Sequence, residues 1–194
     1  MEFQFHVTFE NFDLDKDKCF IKLCLNESVK PLLIVLPKGN YVNQPMFTKL
    51  VTHSELENAL SEAKQTINLF QSERYKLARV KAEIPPENAG KIEIASDFAP
   101  YYEWHCKICL PNAKEESVVS KLCFELGEHL SRNFLDKDKG EKFVTVRDND
   151  KIQFNKKVQN LYENLLKCSI EIEKQKFEYC IFDTNLELDS GWTH

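Results

Sequence analysis

Tyr101-Tyr102-Glu103-Trp104-His105-Cys106-Lys107-Ile108-Cys109-Leu110 alternates with a period of two. Trp104, Cys106, Ile108 and Leu110 fall on one face and Glu103, His105 and Lys107 on the other, as along a strand. One apolar and one charged face is the pattern of a half-buried antiparallel strand. The N-terminus follows the same plan: Phe3, Phe5, Val7 and Phe9 alternate with Gln4, His6, Thr8 and Glu10. His6 and His105 lie 99 positions apart, and at the same offset Phe5 matches Trp104 and Lys22-Leu23-Cys24 matches Lys121-Leu122-Cys123. The chain reads as two copies of one unit. Two copies exclude a solenoid and point to a pair of lobes.

Outward from these strands, the first copy reads strand (3–9), helix (17–26), strand (32–36), strand (46–51), helix and strand (77–84). Ser54-x-x-Glu57 is a capping box ahead of the second helix, whose Leu56, Leu60, Ala63, Ile67 and Phe70 recur at helical spacing. Pro37-Lys38-Gly39-Asn40 reads as a turn. The second copy reads strand (103–110), helix (115–125) closed by Gly127, strand (129–135), a hairpin-like loop (136–140), strand (143–147), helix (150–167) and a strand within 170–182. Both follow the order strand-helix-strand-strand-helix-strand of a ferredoxin-like unit. The expectation is an α+β protein of two tandem ferredoxin-like lobes related by a pseudo-twofold axis. Residues 1–86 form the first lobe, 87–100 a linker opened by Pro85-Pro86, 101–182 the second lobe, and 183–194 a tail that packs back.

The 194 residues, 42% hydrophobic with 14 Phe, supply a core; the charged fraction of 29% is that of a soluble chain. No apolar run approaches the roughly 18 residues of a membrane helix, and no basic leader opens the chain. Seven scattered Cys without an export signal predict reduced thiols in a cytoplasmic protein. Cys106 and Cys109 spell C-x-x-C, yet on a strand they face opposite ways. The acids around Asp13, Asp15 and Asp17 have calcium-loop spacing, but Lys18 and Cys24 stand where Gly and Glu are needed. A net charge of −5 argues against duplex nucleic acid as a partner.

The polar faces concentrate the chemistry. Lobe one presents His6, Thr8, Arg79, Lys81 and Glu83; lobe two presents Glu103, His105, Lys107, Thr145 and Arg147. Two such faces across a pseudo-twofold axis would enclose a polar cleft. Arg132 and Arg147 are further candidates for anion contacts, because guanidinium offers planar paired donors. The expected partner is a small anionic or phosphorylated ligand, with Thr8, Lys107, Arg79, Lys81, Arg132 and Arg147 binding it. His53 and His129 read as local hydrogen-bonding residues.

Phe5-His6-Val7-Thr8-Phe9 resembles the H-x-T-x signature of the two-histidine phosphoesterases, a bilobal family with one signature per lobe. The resemblance implies metal-independent chemistry with His6 and His105 as catalytic base and acid and a hydroxyl holding phosphate. The second motif departs from it, because Lys107 stands where Thr or Ser belongs. Over most of the chain, Leu130-Ser131-Arg132-Asn133, Phe143-Val144-Thr145-Val146-Arg147 and Asp183-x-Asn185-Leu186-x-Leu188-Asp189-x-Gly191-Trp192 resemble an uncharacterised family of small bacterial proteins, which brings no activity with it.

Two other classes stay open. A non-enzymatic module would use the polar sheet faces for a ligand, a peptide or a homodimer. A metal-binding protein would use His6, Glu83, Glu103 and His105 as nitrogen and oxygen ligands of a divalent ion. The residues alone leave open whether the protein is an enzyme.

Overall fold

The computed structural model describes residues 1–10, 12–13, 17–36, 41–94, 98–133 and 140–189. The turn expected at 37–40, most of the loops expected at 13–17 and 136–140, and the end of the tail lie outside them. The element order is β1 (Glu2–Phe9), α1 (Lys18–Asn26), β2 (Lys30–Val35), β3 (Asn43–Thr52), α2 (Leu56–Ser72), β4 (Leu77–Ile84), β5 (Tyr101–Cys109), α3 (Ala113–Leu126), β6 (His129–Asn133), β7 (Glu141–Asp148), α4 (Lys151–Lys167) and β8 (Ile172–Asp183). Short 3-10 turns follow β4 and β8, at Pro86–Asn88 and Leu186–Asp189. Among the described residues no helix is long and apolar enough to cross a membrane.

The sheet corrects the expectation of two tandem lobes. All eight strands form one closed antiparallel barrel in the order β1-β3-β2-β6-β7-β5-β8-β4. The halves join at two seams. At one, Ile34 of β2 opposes Asn133 of β6; at the other, Ala82 of β4 opposes Phe182 of β8. Lobes with separate sheets would leave β2, β4, β6 and β8 as edges with unpaired backbone N–H and C=O groups. Closure pairs them. Register shifts at Thr8/Phe9, Ala82/Glu83 and Lys107/Ile108 mark irregularities of the kind that let strands bend round a barrel.

The apolar faces point outward, under the helices. Phe3, Phe5, Val7 and Phe9 pack with Phe20, Phe47, Phe70 and Tyr75; Phe9 and Phe70 stack with centroids 5.5 Å apart. On the other half Trp104, Cys106 and Ile108 pack with Val119, Phe154, Leu161 and Leu165. Helix starts are capped by Asp17, Asn112 and Asp150, each side chain accepting from backbone N–H groups. The capping box expected at Ser54 is absent. The N-cap of α2 is Glu55, one residue later, with no side-chain cap. Gly127 closes α3 in the left-handed region, at φ 72°, as its position implied. None of the seven cysteines forms a disulfide.

Candidate functional site

Because the apolar side chains face out, the alternate residues face in and give the barrel a polar lumen with a cavity of about 410 Å³. His6, Thr8, Arg79, Lys81, Glu103, His105, Lys107 and Arg147 all line it, and Glu83 lies within ion-pair reach of His6 and Lys81. The residues expected on two facing sheets therefore share one interior. Arg132 is the exception. It points out, exposed, because the alternation on β6 turns Ser131 and Asn133 inward.

The two imidazoles are held alike. His6 Nδ1 lies 3.2 Å from Thr48 Oγ1 on β3, and His105 Nδ1 lies 3.0 Å from Thr145 Oγ1 on β7. Each ring thus turns Nε2 towards carboxylates. His6 Nε2 is 3.1 Å from Glu83 Oε2; His105 Nε2 is 3.2 Å from Glu178 and 3.4 Å from Glu103. Burial alone would lower the pKa of His105. The hydrogen bonds and charges of Glu103 and Glu178 outweigh it and raise the pKa to about 10. His105 is therefore an imidazolium at neutral pH.

The remaining fixed cations are also neutralised from within. Lys81 lies 2.5 Å from Glu83 and 2.6 Å from Glu103. Burial works against its charge, but Glu103 and Glu83 raise its pKa. Arg147 donates to Glu103 from Nε at 2.8 Å and to Asp189 from Nη2 at 2.8 Å, and lies over the Tyr101 ring. Arg79 pairs with Asp183 and, from Nη1, with Asp189 at 3.0 Å. Burial opposes ionisation of Glu103, and Lys81, Arg147 and His105 overcome it and hold its pKa well below the usual range.

β2 and β8 run parallel to β1, since each is two antiparallel pairings away from it. Lys30 and Lys174, at their starts, therefore sit at one end of the barrel. Lys107, late on the antiparallel β5, joins them, and Lys176 lies one inward position further along β8. At the other end, Asp189 of the 3-10 turn is buried between Arg79 and Arg147. Leu32 and Ile34 of β2, Leu36 just beyond it, Met46 of β3 and Phe143 of β7 add apolar side chains to a lining that the same strands also furnish with Lys30, Gln44, Thr48, Thr145 and Arg147.

Sequence reasoning missed Glu178, Lys176, Asp183 and Asp189 as site residues. Inward phase on β8 was the available signal for the first two; for Asp189, whose partners lie on β4 and β7, the chain offers none.

No protein-family profile and no curated protein matches the chain. Among solved structures it is similar to an acetolactate synthase small subunit from Thermotoga maritima (9% identity, 95% of this chain and 96% of that chain covered, TM-score 0.30). It is likewise similar to a heme-binding protein from Thermus thermophilus (14% identity, 93% and 91% covered, TM-score 0.33). A third is a mutant chlorite dismutase from Candidatus Nitrospira defluvii (11% identity, 97% and 92% covered, TM-score 0.32).

Proposed function

We propose that the barrel binds a small amphipathic anion in its lumen. The ligand's apolar body lies against Leu32, Ile34, Met46 and Phe143, and its carboxylate or phosphate turns towards the lysine end. The composition of the lining carries this reading. Seven Lys and Arg but three Asp and Glu line the cavity, in a chain of net charge −5. Arg79, Lys81, Lys107, Arg147 and Lys176 are paired with carboxylates, so among the described residues the excess positive charge lies at Lys30 and Lys174, where it attracts a ligand of the opposite sign. The contact falls to the lysines rather than to Arg79 and Arg147, whose guanidiniums already hold carboxylates. Among the described residues Lys30 and Lys174 make no ion pair.

Acid–base catalysis by the two histidines draws less support. A general base needs a pKa near the working pH, and His105 keeps its proton up to about pH 10.

The test is thermal unfolding in the presence of medium-chain carboxylates and aryl phosphates, against amines and alcohols of the same body. A ligand at a hundred times its Kd adds about 2.7 kcal/mol, or roughly 5–11 °C at this chain length. The anions should stabilise and the amines should not. Ile34→Trp, which fills the lumen, should remove the effect. Equal stabilisation by the amines, or no response of the folded protein to any anion, would contradict the reading.

A further inference from the structure

We infer that His6, Glu83 and Glu178 form a binding site for one divalent transition-metal ion. The three residues come from β1, β4 and β8, and their donor atoms all lie within 4.8 Å of one another. His6 Nε2 and Glu83 Oε2 are 3.1 Å apart. Ligands about 2.0–2.2 Å from a tetrahedral or octahedral ion stand roughly 3.0–3.5 Å from each other, so this pair is already at the spacing that an ion requires.

Two independent features point to a cation. The first is ring orientation. Thr48 engages Nδ1 of His6 and leaves Nε2 aimed at the carboxylates, which is how an outer partner orients a ligating imidazole. The second is Glu83, which is 1% exposed and is held by ion contacts rather than by well-aligned hydrogen bonds. Lys81 stands within ion-pair distance of Oε1, and Oε2 faces His6. Lys81 compensates the Oε1 side; on the Oε2 side the neighbour is an imidazole, and a metal ion there adds the compensation that the ammonium gives Oε1.

The other half of the lumen shows how such a cluster is satisfied. Glu83, Glu103 and His105 form a second group with the same spacing, and there the Lys81 ammonium lies between Glu83 and Glu103. That half holds a cation of its own. On the His6 side, the Gln4 amide approaches His6 at 2.7 Å and donates to Glu178 at 3.1 Å. Rotating that amide turns its oxygen inward as a fourth donor. Lys176, which pairs with Glu178, is exposed enough to swing aside. One imidazole with two carboxylates suits Zn²⁺, Mn²⁺, Fe²⁺ or Co²⁺.

The experiment is calorimetric titration of the chelator-treated full-length protein with Zn²⁺ and with Mn²⁺, with Co²⁺ absorption as a spectroscopic check. One ion per chain is expected. His6→Ala and Glu178→Gln should each weaken binding at least tenfold and change the Co²⁺ visible bands. His53→Ala, whose ring pairs with Glu62 outside the lumen, should change neither. Circular dichroism confirms that each variant is folded. Absence of saturable binding of both ions to the folded wild type would overturn the assignment. So would binding that survives His6→Ala but is lost in His53→Ala. Binding of an organic anion is read separately, so either inference can fail alone.

Discussion

Lys81 on β4 and Glu103 on β5 meet at 2.6 Å across the width of β8, the strand that separates them. The pair ties the two sequence halves together inside the lumen, and both residues are buried. Removing one member of a buried pair strands the other charge, which costs about 3–5 kcal/mol. Lys81→Met should therefore lower the Tm by roughly 6–20 °C. In a double-mutant cycle with Glu103→Gln the coupling should reach about 1 kcal/mol or more. Additive losses would mean that the two groups do not meet.

The pH profile carries the signature of His105. Its folded pKa, about 10, lies above its ordinary 6.5. The stabilisation it contributes is therefore complete below pH 6.5 and is lost as pH rises towards 10. Glu103 and Asp183 are shifted the opposite way, burial notwithstanding, by Lys81 and Arg79. Their contribution is present above their ordinary range and lost on acidification. Urea unfolding from pH 6 to 10 should show declining stability, and His105→Asn should flatten that limb.

Glu128, buried where α3 hands over to β6, behaves in reverse. Burial pushes its pKa up to about 7; Lys157 opposes this and Asp148 adds to it. An acid raised on folding costs stability as pH climbs from 4.5 to 7. Glu128→Gln should raise the Tm at pH 8 by a few degrees, about 2–4 °C per kcal/mol recovered, and leave it unchanged at pH 4.

The thiols should divide by location. Cys24, Cys106, Cys123 and Cys180 are buried, and desolvation pushes each up to about 12. Cys19 and Cys168 are exposed. Thiol titration of the native protein should label the exposed pair quickly and the buried four only on unfolding. Fast labelling of Cys106 would place it away from the packed face under the helices.

Much of this was legible in the chain. The alternation of large apolar and polar residues assigned both faces of β1 and β5, and correctly put His6, Thr8, Glu103, His105 and Lys107 together on the faces away from the core. Helical spacing located α2 and α4. Closure of the sheet was not legible. Which edge β2 or β4 pairs with is decided by contacts 100 residues away, such as Leu33 N–H to Asn133 Oδ1, and strand periodicity says nothing about them. β8 was indistinct over its first half, where Glu173, Lys174, Gln175 and Lys176 are all polar; its phase is marked only further on, by Phe177 and Tyr179 on either side of Glu178. Arg132 was chosen for its chemistry, and the phase of β6 turned it outward.

The most direct test of the closed barrel is a nuclear Overhauser experiment on the deuterated, amide-protonated chain, read at the two seams. The account predicts interstrand cross-peaks joining the β2 backbone around Ile34 to β6 around Asn133, and β4 around Ala82 to β8 around Phe182. Cross-peaks within β1–β3 and β5–β7 but at neither seam would contradict it, and would return the two halves to separate sheets.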